Sequence, residues 1–365
     1  MSGVPSRGVN RGGSCLEARG CGTAGVIDSR AVNARAPAAA PLVSILLASR
    51  NGARYLPEAL RGIEAQTYRP IEIIAVDDGS TDETGRILSA FASSHPNVLV
   101  ERAEGIGPAA ARDLAFRRSS GSLIAIHDDD DVSRPERFAR QVATFERNPA
   151  LGVLGSLADV IGERGERVGP FPVPLAPDAI RKTLRRAPPF VNGSVMMRRS
   201  AYVAAGGYRG AFLAAEDYDL WLRVPREFEL ANLAEPLYSW RRHGDSTTAR
   251  DRTRMIFFAA VARTFADERR ATGHDSIERL AAHPDPAALL DQYALAGRLA
   301  GHFGEALARE GRAKEARQYL GRALHEGGGL LRAGPWWLLT WLLPLTPRGR
   351  AAARAQAAAA KGRSA

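Results

Sequence analysis

A short apolar run, Leu123-Ile124-Ala125-Ile126-His127, ends in four adjacent carboxylates, Asp128 to Asp131, and the chain must then turn at Val132-Ser133-Arg134-Pro135. Four neighbouring acids repel one another, so their pKa values rise unless a cation sits among them. A strand that delivers such a run to the carboxyl end of a sheet puts it where α/β folds hold their ligands. There it suits a hard divalent cation, Mg²⁺ or Mn²⁺, and through that cation a diphosphate. A solvated acidic loop is the plainer alternative; the apolar strand leading into the run favours metal–phosphate chemistry. Two further acid pairs stand at element ends. Asp77-Asp78 follow the run Ile71 to Val76, and Glu216-Asp217 precede the apolar positions Leu220, Trp221 and Val224, at a helix N-terminus where the dipole favours negative charge.

The elements that must position these acids alternate regularly. Leu42 to Ala48 reads as a buried strand that ends at Ser49-Arg50-Asn51-Gly52. Tyr55, Leu56, Ala59, Leu60 and Ile63 recur at helical spacing. The strand Ile71–Val76 follows, then a helix through Ile87, Leu88 and Phe91 that Ser80 or Thr81 can cap. Val98 to Val100 is a third strand, Gly105 to Arg118 a third helix, and the strand into the acid run comes next. Connections this short predict an α/β fold with a mostly parallel sheet and right-handed crossovers. Gly105-Ile106-Gly107-Pro108-Ala109-Ala110 loosely matches a dinucleotide fingerprint. That fingerprint belongs on a first strand, however, whereas two βα units precede it here, and it would leave Asp77 and Asp78 unexplained.

The bulk properties bound the partners. The 365 residues carry a formal net charge of +10, with 45% hydrophobic and 25% charged residues, an ordinary globular composition with a basic bias. That charge suits nucleic acid, anionic lipid or a phosphorylated substrate. Two cysteines, Cys15 and Cys21, give no disulfide framework and fit a reducing cytoplasm. Residues 1–40 are rich in Gly, Ala, Ser and Arg without a hydrophobic period or a secretion-type apolar region, and are expected to be a disordered leader.

An ordered set of motifs now resembles the family 2 glycosyltransferases. It comprises Val43-Ser44-Ile45 with Ser49-Arg50-Asn51, Ala65-Gln66-Thr67-Tyr68, Glu72 to Asp82, Asp128 to Asp131, Gly206-Gly207-Tyr208, Glu216 to Arg223 and Tyr238 to His243. It covers roughly residues 41–250. The resemblance implies the GT-A fold and inverting, metal-dependent transfer, of hexosyltransferase type, from a nucleotide-diphosphate sugar to a hydroxyl. It implies a UDP- or dTDP-sugar as donor and no nucleic acid as partner. By the same resemblance, Ser49, Asn51, Asp78, Arg112, Asp128 and Asp129 face the donor, with Asp78 at the base and Arg112 available to neutralise diphosphate. Asp130 and His243 would hold Mn²⁺ or Mg²⁺, with the register inside the four acids left open. Asp217 would be the catalytic base, and Glu216 and Trp221 would lie on the acceptor side. The chain departs from the family pattern at Arg50, where an aromatic residue is usual, at Asp113, and at Asn192, often a His. It lacks a Gln-x-x-Arg-Trp motif and a multi-span region, which argues against a processive synthase. A non-catalytic, basic, membrane-associated binding protein on a degenerate scaffold is the alternative, but such a scaffold would have no reason to keep acids at 78, 128, 130 and 217.

Beyond the transferase stretch, 41–250, the character changes. Residues 251–326 read as a helical extension with paired helices that turn at Gly311, and 327–365 as an amphipathic, basic tail. Pro335 to Leu345 holds three of the five tryptophans and is too short to span a bilayer, which takes about 20 apolar residues. Trp favours the headgroup boundary. The expectation is a cytoplasmic enzyme, peripheral on the membrane's cytoplasmic face, that serves cell-surface polysaccharide or glycolipid synthesis with a lipid-linked glycan as acceptor.

Overall fold

The computed structural model describes residues 40–246, 250–282, 296–326 and 330–342. The expected leader, apart from Ala40, and the tail beyond residue 342 lie outside these residues, as do Leu289, Leu290 and Tyr293 of the expected paired helices.

Four strands form the parallel half of one sheet: β1 (Val43–Ser49), β2 (Ile71–Asp78), β3 (Val98–Ala103) and β4 (Leu123–Asp128), in the order β3-β2-β1-β4. Their crossovers are α1 (Leu56–Glu64), α2 (Thr84–Ser94) and α3 (Pro108–Arg118). The runs of β1, β2 and β4 are apolar on both faces because helices cover both sides. Alternation sorts the side chains: Val43, Ile45 and Leu47 enter one core, and Leu46 enters the other with Ile74, Ile124 and Ile126. In register, Ser49 stands beside Asp77, and Ala48 beside Asp128, so the polar ends of three strands open at one edge.

Past β4 the sheet becomes mixed. After β5 (Val132–Ser133) and α4 (Arg137–Arg147) come β6 (Leu151–Ile161), β7 (Arg167–Phe171), α5 (Pro177–Leu184), β8 (Met196–Arg198), α6 (Arg199–Ala204), α7 (Glu216–Arg223) and β9 (Glu229–Arg241). Strand β8 runs antiparallel to β4 and β6, β9 parallel to β6, and β5 returns antiparallel to β9. The last pairing curls the sheet and brings the end of β9 to the acid run. Two local expectations differ. Helix α3 starts at Pro108, because Gly105 and Gly107 sit at positive φ in the loop before it. Neither Ser80 nor Thr81 caps α2: the Ser80 hydroxyl accepts from the Asn51 N–H at 2.9 Å, and Thr81 N–H donates to Asn51 Oδ1 at 2.8 Å.

Among the described residues, every regular element after β9 is a helix: α8 (Arg252–Thr272), α9 (Ile277–Ala282), α10 (Ala296–Arg309), α11 (Ala313–His325) and α12 (Leu330–Leu342). Gly311, at φ 77°, makes the expected turn between α10 and α11. These helices share an apolar core with Phe212, Ala215 and Tyr218 around the start of α7.

Candidate active site

Each acid of the run has its own partner, drawn from β1, α3, the turn at Asn192 and the end of β9. Asp128 accepts from Arg112 Nη2 at 2.7 Å and Asn192 Nδ2 at 3.4 Å, and its backbone N–H donates to Tyr238 Oη at 3.2 Å. Asp129 accepts from the Ser49 hydroxyl. Asp130 Oδ2 lies 2.9 Å from His243 Nε2, and Asp131, buried, accepts from the backbone N–H of Arg241 at 2.7 Å. The crowding has the expected electrostatic result. Burial and the charge of Asp130 push Asp129 up to about 7; burial and Asp128 raise Asp130; burial and Asp130 raise Asp131 well above the usual carboxylate range.

The frame around the run is buried and close-packed. Arg137 is fully buried and donates to the carbonyls of Ile126 at 3.0 Å and Val195 at 3.1 Å. Burial, with Arg137 nearby, lowers His127 to about 4, so this imidazole is neutral at pH 7, and its Nδ1 lies 2.8 Å from the Asp128 carbonyl. Two glycines are required by approach distances. A Cβ on Gly52 would stand 2.0 Å from Asp129 Oδ2, and one on Gly193 would stand 2.0 Å from Tyr238 Oη and 2.9 Å from Asp128 Oδ2.

Asp78 is buried and accepts from the N–H groups of Ile106 at 2.6 Å and Gly107 at 2.8 Å, one on each oxygen. It thereby fixes the loop ahead of α3, beside which Arg50 extends its guanidinium towards Gly105. Asn51 adopts the left-handed φ of 56° that asparagine tolerates and holds the loop after β2 through Thr81. Arg112 is not free for a diphosphate: it is buried and bridges Asp128, 16 residues on, to Glu216, 104 residues on. Sequence reasoning assigned it to phosphate because the two acids that claim it are distant in the chain.

Helix α7 presents Glu216 and Asp217 at its first turn, behind Ala215, a non-glycine residue at φ 53°. Such a conformation costs of order 1–3 kcal/mol and persists only when its surroundings impose it. Neither acid caps the helix from its N-cap position. Glu216 is buried and bound by Arg112, whereas Asp217 is half-buried and accepts from the Tyr218 N–H at 2.7 Å. Burial and the neighbouring Glu216 push Asp217 up to about 7, with Asp128 adding to the rise. Trp221 does not reach an acceptor. It is wholly buried, edge-to-face with Phe190 at 5.6 Å, because its helical position turns it to the core face together with Leu220.

No group of three or more His, Cys, Asp or Glu side chains forms a ready cation cage among the described residues. The donor set nevertheless fits a hard divalent ion. Asp130 carries a raised pKa that a cation would relieve, and it faces His243, which is buried with Nδ1 unpartnered. Sequence reasoning missed Tyr238 and Arg241. Arg241 is buried, donates to the Asp130 carbonyl at 2.7 Å and pairs with Glu58 at 2.6 Å. The period-two alternation of a strand, which sets Arg241 and His243 on one side and exposed Arg242 on the other, was the available signal.

Comparison with known proteins identifies the family and the fold. The model of the family described as glycosyl transferase family 2 matches residues 44–204. The inferred glycosyltransferase EpsE of Bacillus subtilis (strain 168) is 34% identical over 224 residues, which cover 59% of this chain and 78% of EpsE. The amylovoran biosynthesis glycosyltransferase AmsE of Erwinia amylovora is 29% identical over 211 residues, 57% of this chain and 78% of AmsE. The solved structure of mannosyltransferase PcManGT from Pyrobaculum calidifontis, in complex with GDP-Man and Mn²⁺, aligns with a TM-score of 0.51 over 86% of this chain and 84% of that one. At 20% identity that likeness concerns the GT-A fold alone.

Proposed function

The chain belongs to glycosyl transferase family 2, and on that premise we propose that it moves a hexose from a nucleotide-diphosphate donor to an acceptor hydroxyl with inversion at the sugar carbon. The observation that carries this reading is the pairing of unlike acids at one edge of the sheet. The acid run at the end of β4 is anchored by four separate segments, and Asp217, with a carboxyl near neutral pKa, stands across the Arg112–Glu216 bridge from it.

In the proposed reaction the acceptor oxygen attacks the sugar C1 from the face opposite the diphosphate. Its proton passes to the Asp217 carboxylate, the C1–O bond to the acceptor forms, and the C1–O bond to the diphosphate breaks. Asp130 and His243 are the residues that would hold Mn²⁺ or Mg²⁺, which when bound neutralises charge on the diphosphate oxygens. Such ions take one or two protein carboxylates and complete their shell with substrate phosphate and water, which agrees with so small a protein donor set. Ser49, Asn51, Asp78, Asp128 and Asp129 shape the donor side, with Asp128 and Asp78 doing so partly by fixing Arg112 and the Gly105 loop. Glu216 shapes the acceptor side from the start of α7.

We assign the donor to the UDP- or dTDP-sugars on the family resemblance at Asp78, each of whose oxygens already accepts one backbone N–H and keeps a second lone pair that suits a uracil-type N–H. The acceptor we infer is a hydroxyl of a growing surface glycan on a lipid carrier at the cytoplasmic face, because AmsE is named for biosynthesis of a polysaccharide. The test is a panel of UDP-, dTDP- and GDP-sugars scored by release of nucleoside diphosphate, with Mn²⁺, with Mg²⁺ and with chelator. Metal-dependent turnover of a UDP- or dTDP-sugar is expected. Turnover undiminished in excess chelator would remove the metal from the proposal, and turnover of GDP-sugars alone would overturn the donor assignment.

A further inference from the structure

Helix α12 has an outer face that is not built for water. Residues 333–342, Ala-Gly-Pro-Trp-Trp-Leu-Leu-Thr-Trp-Leu, contain no charged side chain. Ala333 and Thr340 are buried, and Trp336 and Trp337 pack partly against the core shared with α10 and α11. On the opposite side Leu338 is 63% exposed, Leu339 45% and Trp341 57%. A helix on a protein surface normally turns polar residues outward, and one that is apolar all round is normally covered. The one hydroxyl in the stretch, Thr340, turns inward and donates to the Trp337 carbonyl at 2.6 Å.

The chemistry at the rim says what would cover it. The Arg317 guanidinium lies over the Trp341 ring at 4.3 Å, and Arg309 lies over Trp336 at 4.6 Å, so cations border the apolar face. Residues 327–365 add Arg332, Arg348, Arg350, Arg354, Lys361 and Arg363 and contain no acid. A second copy docked on this face would set the Arg309 and Arg317 cations of one chain against those of the other. An anionic lipid surface complements both features, with apolar side chains for the acyl boundary, indole for the headgroup level and cations for phosphate. The helix cannot span: 13 residues reach roughly 20 Å at 1.5 Å per residue, against about 30 Å of hydrocarbon. We infer that α12 lies flat on an anionic lipid bilayer, with Leu338, Leu339 and Trp341 inserted to headgroup depth and Arg309 and Arg317 at the rim facing lipid phosphates. This inference goes beyond the transfer reaction and does not depend on it.

The experiment uses the full chain with vesicles of phosphatidylglycerol and phosphatidylcholine, or of phosphatidylcholine alone, in a flotation assay at low and high salt. The wild-type protein should float with the anionic vesicles at low salt, less as salt rises, and hardly at all with the neutral ones. The triple variant L338S/L339S/W341S changes exposed side chains and should keep its thermal transition while its partitioning falls at least tenfold. Failure of the wild type to bind anionic vesicles, or equal binding by the variant, overturns the inference. So does lipid-free self-association that the triple variant abolishes, which would assign the face to a second copy. Release of nucleoside diphosphate from a soluble donor is a separate readout, and its loss bears on the proposed reaction and not on the surface.

Discussion

Asp217 and Glu216 are neighbours in sequence and differ in environment: one is held by Arg112, the other sits with a carboxyl near pKa 7. A base works in its ionised form, so kcat should rise with pH through about 7 and level off above it. Asp217→Asn should keep donor affinity and lose kcat by roughly 10²–10⁴. The stability effect has the opposite sign to that of most acids. The folded pKa lies above the unfolded value of about 3.9, so the folded state binds the extra proton between the two, and stability falls as pH rises across that window. The asparagine variant escapes this loss and should melt no lower than wild type at pH 8. Lost donor binding together with a lower Tm would instead make Asp217 a structural helix-end acid. Asp130→Ala should weaken binding of a nucleoside diphosphate in Mn²⁺ by at least ~10–100-fold, the range seen when even a group orienting a metal ligand is removed. Calorimetry with chelator should show little difference between the two proteins, and equal affinities in Mn²⁺ would take Asp130 out of the cation site. The run itself was legible, because an apolar strand that stops at four carboxylates has few other uses. Its internal register was not: Ser49, Arg241 and His243 lie 80, 110 and 113 residues from the acids they meet, and no local pattern encodes such distances.

At the scale of elements, α7 carries the proposed base and is moored from the far side. Asp219 on this helix is fully buried between Arg209 and Arg223, and Arg209 also grips both oxygens of Asp275 at 2.9 Å. Asp275, just past α8, is joined as well by Arg269. Asp275→Asn should therefore lower stability by about 1.5–3 kcal/mol, the range for a hydrogen bond to a charged group. It should also lower kcat by up to ~10²-fold at unchanged donor KM, since ångström-scale misplacement of a reacting group carries that penalty. Denaturant unfolding and steady-state kinetics measure the two effects, and a stability loss with kcat intact would confine the network to folding. Strands β1, β2 and β4 were readable as continuous apolar runs. Strand β8 is three residues long, and Glu235 and Pro236 interrupt β9, so β8 leaves no pattern and β9 keeps its alternation only near its end. Trp221 was misplaced for a related reason: a helical stripe identifies a face without saying whether core or cleft receives it.

At the scale of the whole molecule, the regular elements that follow β9 among the described residues are all helices. The core nevertheless runs across residue 250, with Phe212 and Tyr218 packed in one cluster with Phe257, Phe258, Phe265 and Phe303. We propose that the division into 41–250 and 251–326 is one of role and not of independent folding. A chain ended at residue 250 would expose that aromatic cluster, so it should aggregate or bind a hydrophobic dye, as followed by circular dichroism and dye fluorescence. A monomeric, folded and active fragment would show the parts to be separable. The anchoring of the acid run also sets a timetable during synthesis. Asp130 leaves the ribosome 113 residues ahead of His243. At ~5–20 residues per second, the four acids of the run wait roughly 6–23 seconds for the last of their partners. Through that interval the nascent protein carries a self-repelling loop where its site will be, and no competent pocket exists until the end of β9 has emerged and docked.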